Sequence, residues 1–457
     1  MLKEKTSDMT KGNILRQIIL FSIPLIIGNI FQQLYSMVDT IIVGRTIGMN
    51  ALAAVGGCGS PVFFIIGFVT GLTGGFAIMV SHRFGAGDMD EMRRSIAMGA
   101  MLSAVFAVLL TAVSVLMVKW LLGVMNTPDE IKTDAYEYLT VICLGIPASM
   151  LYNYLSSVIR AIGDSKTPLY FLLIAALLNI VLDFVCILNF NMGVMGAAVA
   201  TVFSQLVSGI LCFVYMNKTY AMLRLKKSDW KLSGEFAWYH IRLGIPMAVQ
   251  TSVIAIGTII VQTILNDFGA IAVAGYTTAS KTESIITQIM VSFGLTLATF
   301  VGQNYGAGQL NRIKAGVKVT TVILLAFSVI GAVFIILFGR QLTNIFIDAN
   351  EKHVEEVVRF SKTCLTITSC FYPLLSCICV FRSAIQGLGN TTIVLVGSAI
   401  ELLGRLVAAL ILSVPFGFVG VCFANPIAWF GSATLFIVVY AVNICNLTKK
   451  FKTIPEE

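Results

Sequence analysis

The sequence predicts an all-α polytopic membrane protein, with twelve transmembrane helices in two six-helix lobes related by a pseudo-two-fold axis along the membrane normal. Three observations lead there. Of 457 residues, 57% are hydrophobic and 12% charged, and the mean hydropathy is +0.89. Apolar stretches of about 20 residues, the length that crosses a bilayer as a helix, recur from end to end. The second half of the chain also repeats the first, as set out below.

Glycine, proline and charge clusters cut the chain into twelve candidate spans. The first, 16–44, carries Pro24 near one end and then Gln32, Tyr35, Ser36 and Asp39 on one helical face. The second, 51–82, contains GFVTGLTGG (67–75), a run suited to close helix packing. The third covers 93–119, and the fourth, 134–158, leads Asn153, Ser157 and Arg160 along one stripe. Span five, 167–188, sets Asn179 and Asp183 one turn apart, and span six, 193–217, aligns Thr201, Gln205 and Ser208. A basic segment, 217–236, follows. Spans seven to twelve are 237–266, 273–302, 313–338, 358–384, 392–413 and 418–445. The eighth holds Lys281 and Glu283; the eleventh holds Glu401 and Arg405, spaced i, i+4 so that they can pair.

LFSIPLIIGNIFQQ, which opens the first span, is echoed by RLGIPMAVQTSVIA at the seventh, with Pro24 matched to Pro246. RFGAGDMDEMRRSI (83–96) returns as NYGAGQLNRIKAGV (304–317), RAIGDSKTP (160–168) as IQGLGNTT (385–392), and MGVMGAAVAT (192–201) as FGFVGVCFAN (416–425). Because six is even, both copies enter from the same side, which puts their symmetry axis along the membrane normal. The expected division is an N-terminal lobe at 1–216, a basic linker at 217–236 and a C-terminal lobe at 237–457. With the N-terminus inside, the inner segments hold 22 of the 31 Lys and Arg against 7 in the outer ones. Both termini are therefore expected in the cytoplasm, the chain being a multi-pass protein of the inner (cytoplasmic) membrane. No removed leader is expected ahead of the first span.

Topology thus accounts for the net charge of +8 without a nucleic-acid partner. The ten cysteines lie in apolar segments with no metal-ligand spacing, and the three histidines are far apart, so neither metal catalysis nor any other enzyme activity is expected, and no cofactor. What needs explaining is charge inside the membrane, where each costs roughly 2.5 to 3.5 kcal/mol on insertion scales. Lys281, Glu283, Glu401 and Arg405 sum to zero and read as a buried network of the C-terminal lobe. Asp39 and Asp183 sum to −2 with no basic residue as deep, which reads as a site for a coupling cation, Na+ or H+. Polar stripes from Gln32, Tyr35, Ser36, Asn153 and Gln205 outline a chamber beside them for substrate. Pro24 is either a fixed bend or a hinge.

These features together resemble the MATE (multidrug and toxic compound extrusion) family. The resemblance rests on the duplicated twelve-helix plan, VDTIIVGRTIGMNALAAVG (38–56), the FGAG and YGAG loops, VGQNYGAG (301–308) and RAIGDSKTP. It implies export of cationic or amphipathic organic compounds in exchange for Na+ or H+ by alternating access. It maps the coupling site onto Asp39, Asn179, Asp183 and Thr201, with a backbone contribution near Ala197, and gives Pro24 a part in bending. Spans seven and ten lack the acidic residues of the NorM-like branch, so the pattern is nearer the DinF-like one. The expected partners are small organic cations and the lipid bilayer, with function as a monomer. The alternative is a flippase for a lipid-linked precursor, which would require unpaired basic residues in its cleft.

Overall fold

The computed structural model describes residues 8–344 and 353–452, and every regular element among them is helical. The long apolar elements are α1 (Ile14–Thr46), α2 (Met49–Gly57) continued by α3 (Gly59–Gly85), and α4 (Met89–Val124). Next come α5 (Asp129–Leu144), α6 (Ile146–Ala161), α7 (Lys166–Phe184), α8 (Gly193–Thr219) and α9 (Gly234–Asn266). The chain closes with α10 (Ala270–Gly306), α11 (Leu310–Asn344), α12 (Val354–Cys370), α13 (Tyr372–Gly387), α14 (Thr391–Phe416), α15 (Phe418–Cys422) and α16 (Ala424–Lys452). Among the described residues, ten helices or joined pairs are long and apolar enough to cross a membrane, and two bent pairs, α5 with α6 and α12 with α13, bring the number to twelve when each counts as one span. The protein is a multi-pass membrane protein with its spans in the expected order.

The two bends, 45° and 53°, arise alike. Pro147 and Pro373 stand in the first turn of α6 and α13. Neither has an N–H to give to the turn before it, so a carbonyl of the preceding helix loses its partner and the axis breaks. At the first bend Gly145 has Val202 packed where a Cβ would stand. Sequence periodicity does not register these breaks, because the apolar pattern continues across them.

The repeat is also visible in the backbone. Gly87 and Gly308 end equivalent helices with φ of 73° and 69°, and Gly193 and Gly417 each have φ 57°. Only glycine takes this region at little cost, so the same turn is specified twice.

The described residues separate into two compact units, one comprising Asp8 with 23–251 and the other 9–22 with 252–344 and 353–452. Helices α1 and α9 are therefore each divided between units, α1 at 22/23 beside Pro24 and α9 at 251/252. Within the first unit, α3 and α9 pack backbone to backbone. A Cβ on Gly75 would stand 2.5 Å from Gly244 Cα, and one on Gly71 would stand 2.8 Å from Ala248 Cα. The glycine run read from sequence as a packing device does that work here. The 220–233 connection folds onto the same unit: Leu223 is fully buried, and Tyr220 donates to Asp164 Oδ2 at 2.5 Å. Burial, with the Asp164 carboxylate beside it, pushes the Tyr220 phenol well up, which keeps it a donor. Asp164 also accepts from the backbone N–H of Lys166 at 2.9 Å and of Thr167 at 3.1 Å, closing the start of α7. In the second unit, Arg312 of α11 donates to the carbonyls of Met9 and Gly12 and to Gln17, fixing the entry into α1.

Candidate functional site

Three helices of the first unit meet around two acids. Asp39 comes from α1 and is 8% exposed; Asp183, near the end of α7, is fully buried. Their carboxyl groups face each other at hydrogen-bonding range, yet Asp39 Oδ1 and Asp183 Oδ1 have no partner among the described residues. Asn179, one turn before Asp183, is satisfied when its amide is turned so that Nδ2 donates to Asp183 Oδ2 at 3.3 Å and Oδ1 accepts from the Thr201 backbone N–H at 3.1 Å. Thr201 and the fully buried Ala197, a turn earlier, belong to α8. The Tyr35 hydroxyl, one turn before Asp39, reaches Thr201. Asp39, Asn179, Asp183 and Thr201 are thus drawn into one neighbourhood, with Tyr35 beside them and Ala197 one turn along α8.

Two features of this site escape sequence reading. Tyr138 of α5, 7% exposed, lies beside Asp39, Tyr35 and Asp183. It sits among Tyr136, Glu137 and Thr140 in a mixed polar and apolar stretch, so no clean stripe singles it out. Directly after Asp183 the helix widens into a π-turn over Val185–Asn189. Such turns put one extra residue into a helix and re-aim the side chains around it. Nothing in the composition of VCILN announces one.

The residues expected to line a substrate chamber fall into two groups. Ser149 of α6 donates to Gln205 of α8, Asn153 Nδ2 to the Ser149 carbonyl at 2.8 Å, and Thr70 of α3 to Asn153 Oδ1 at 3.4 Å. Gln205 follows Thr201 by one turn of α8, so this cluster continues the acid site along that helix. Gln32 and Ser36 are instead exposed on α1, where the Ser36 carbonyl accepts from Thr40 Oγ1 at 2.9 Å. Further along α6, Arg160 donates to the hydroxyls of Ser156 at 2.6 Å and Ser157 at 2.8 Å, with no carboxylate in ion-pair range among the described residues.

The C-terminal charges assemble in part. Glu401 and Arg405, both buried, pair at 2.5 Å along α14. Glu283 of α10 faces Arg405, although its Oε1 has no partner among the described residues, and Gly257 of α9 leaves room for the guanidinium. Lys281 is exposed and stands outside the group. Two residues apart on a helix, Lys281 and Glu283 project in different directions, and so the cluster holds two carboxylates against one guanidinium rather than a neutral set.

No three His, Cys, Asp or Glu side chains among the described residues form a metal-binding group. Two carboxylates with amide and hydroxyl oxygens suit a single monovalent charge, a proton or a hard cation such as Na+.

Comparison with known proteins agrees with this architecture. The MatE family's sequence model matches the chain twice, over residues 24–185 and 246–408, the second match starting 222 residues after the first. The probable multidrug resistance protein YpnP of Bacillus subtilis is 30% identical over 403 residues, covering 86% of each chain. The probable multidrug resistance protein NorM of Thermotoga maritima is 29% identical over 400 residues, covering 85% of this chain and 82% of that one. A FAD transporter of Shewanella oneidensis is 22% identical, covering 81% and 82%. A crystal structure of MATE in the bent conformation superposes with a TM-score of 0.91 over 98% of this chain and all of that one, at 22% identity.

Proposed function

This chain belongs to the MATE family of membrane transporters and is not an enzyme, and on that premise we propose that it exports cationic or amphipathic organic compounds in exchange for Na+ or H+. The relatives named as multidrug resistance proteins support the substrate class. One observation carries the coupling: Asp39 and Asp183 face each other in a buried setting, each with an oxygen that has no partner among the described residues. Two facing carboxylates repel unless a positive charge lies between them. A proton or Na+ supplies that charge in one state, and an organic cation drawn to the same negative region supplies it in another. Exclusion of one by the other is antiport, and linkage makes the effect reciprocal.

In this reading Asp39, Asn179, Asp183, Thr201 and the backbone near Ala197 hold the coupling ion. Asn153, Gln205 and Tyr35 border the route of the substrate, with Gln32 and Ser36 on the same side of α1. Pro24 serves as the hinge of α1, while Glu283, Glu401 and Arg405 hold the C-terminal half together. The protein works as a monomer in the cytoplasmic membrane, with both termini in the cytoplasm, and its halves alternate access across six-helix lobes. The test is efflux of a fluorescent cationic dye from proteoliposomes under an imposed Na+ or H+ gradient. Movement driven by one gradient names the ion; no movement under either sinks the reading.

A second reading, transport of an anionic or lipid-linked substrate, is favoured by Arg160, whose guanidinium rests on two serine hydroxyls and no carboxylate among the described residues. The relative named as a FAD transporter points the same way. Transport of FAD or of a labelled lipid, but not the dye, would move this reading to first place.

A further inference from the structure

The 220–233 connection carries more than is needed to join two spans. Its inner side is anchored: Leu223 and Tyr220 are fully buried, and Asp229, 7% exposed, accepts from the Lys226 backbone N–H at 2.7 Å and faces Arg93 of α4 at 3.6 Å. Because Asp229 points inward, its neighbours in the short Lys227–Trp230 turn and just beyond it point outward. Trp230 is 46% exposed and Leu232 77%. Lys227 and Lys231, between and beside them, are exposed and have no ion pair among the described residues. Arg224 extends the basic face, Lys226 stands 3.8 Å from the exposed Asp90 carboxylate of α4, and Trp238 and Tyr239 stand exposed in the opening turns of α9.

An indole and a leucine held in water beside Lys227, Lys231 and Arg224 are costly to leave uncovered, and their position says what covers them. The segment runs from the end of one span to the start of the next, so it lies at a membrane surface. Helix α9 has 33 residues, about 50 Å at 1.5 Å per residue, against a hydrocarbon core of about 30 Å, so its first turns lie in the headgroup layer. Aromatic rings with nearby Lys and Arg are the side chains that settle at that depth.

We propose that this connection is a binding surface for anionic phospholipids of the surrounding bilayer, with Lys227 and Lys231 holding headgroup phosphates while Trp230 and Leu232 enter the interface. This does not rest on the transport reading or on which side of the membrane the connection faces.

The test is fluorescence of the full chain in vesicles of brominated phosphatidylglycerol mixed with ordinary phosphatidylcholine, using the difference between the wild-type protein and Trp230→Phe to isolate that indole. The expected result is strong quenching of the Trp230 signal by bromine and weak quenching by aqueous acrylamide. In Lys227→Gln/Lys231→Gln, bromine quenching should fall steeply, since each surface cation is worth about fivefold in local enrichment of an anionic lipid. The melting temperature of each variant in phosphatidylcholine checks its fold. If acrylamide quenches Trp230 as it does free tryptophan while bromine leaves it untouched, the surface faces water or a soluble partner and the proposal is overturned. Bromine quenching that is unchanged in a folded double-lysine variant would overturn the headgroup assignment.

Discussion

Asp39 and Asp183 each keep a carboxylate oxygen with no partner among the described residues. A structural carboxylate is normally paired or fully hydrogen-bonded when buried. Replacing Asp39 by Asn keeps the size and removes the charge, so the expected result is normal membrane insertion with gradient-driven efflux abolished. Full retention of coupled efflux in that variant would remove the site. Glu401 is the contrasting case, since it is already paired. Glu401→Gln leaves Arg405 buried beside Glu283 alone, and breaking a buried pair in this way costs about 3 to 5 kcal/mol. The expected outcome is lower yield and a lower melting temperature in detergent. A stable, well-folded Glu401→Gln protein devoid of transport would reassign the cluster from structure to function.

Among the elements, the connection between α8 and α9 and the proline of α1 are open to direct tests. Tyr220→Phe deletes a hydrogen bond to a carboxylate, worth about 1.5 to 3 kcal/mol, and should lower the melting temperature while leaving transport per folded molecule unchanged. An unaltered melting curve would mean that the connection contributes nothing to the first unit. Pro24 lies two residues past the point at which α1 changes units. Pro24→Ala restores a backbone N–H and stiffens the helix, so a folded protein with slowed efflux is expected. Wild-type rates would show the proline to be a fixed bend. Which parts of this were legible in the sequence follows from what leaves a periodic trace. The twelve spans were, since apolar length sets them, and so were the polar stripes that carry Asp39, Asn179, Asp183 and Thr201, whose grouping into one ion site came from the family resemblance. The breaks at Gly145 and Phe371 were not, because proline in a first turn is compatible with both a straight and a bent helix. The π-turn after Asp183, the place of Tyr138 and the outward turn of Lys281 depend on packing that no single element encodes.

For the whole molecule, the duplication is the organising fact, visible in the sequence echoes, in the two matches of one family model, and in turn glycines with equal φ. The copies have diverged in charge: the first holds two facing acids without a cation, and the second opposes its acids with Arg405. That asymmetry is the reason ion coupling is proposed for the first half. The most direct test runs transport in reverse, by adding an organic cation to one side of proteoliposomes without an imposed gradient and following the ion on the other with a pH- or Na+-sensitive dye. Antiport through the Asp39–Asp183 site gives substrate-driven counterflow of one ion in the wild-type protein and none in Asp39→Asn. Substrate movement with no ion counterflow in the wild type, or equal counterflow in Asp39→Asn, would contradict it.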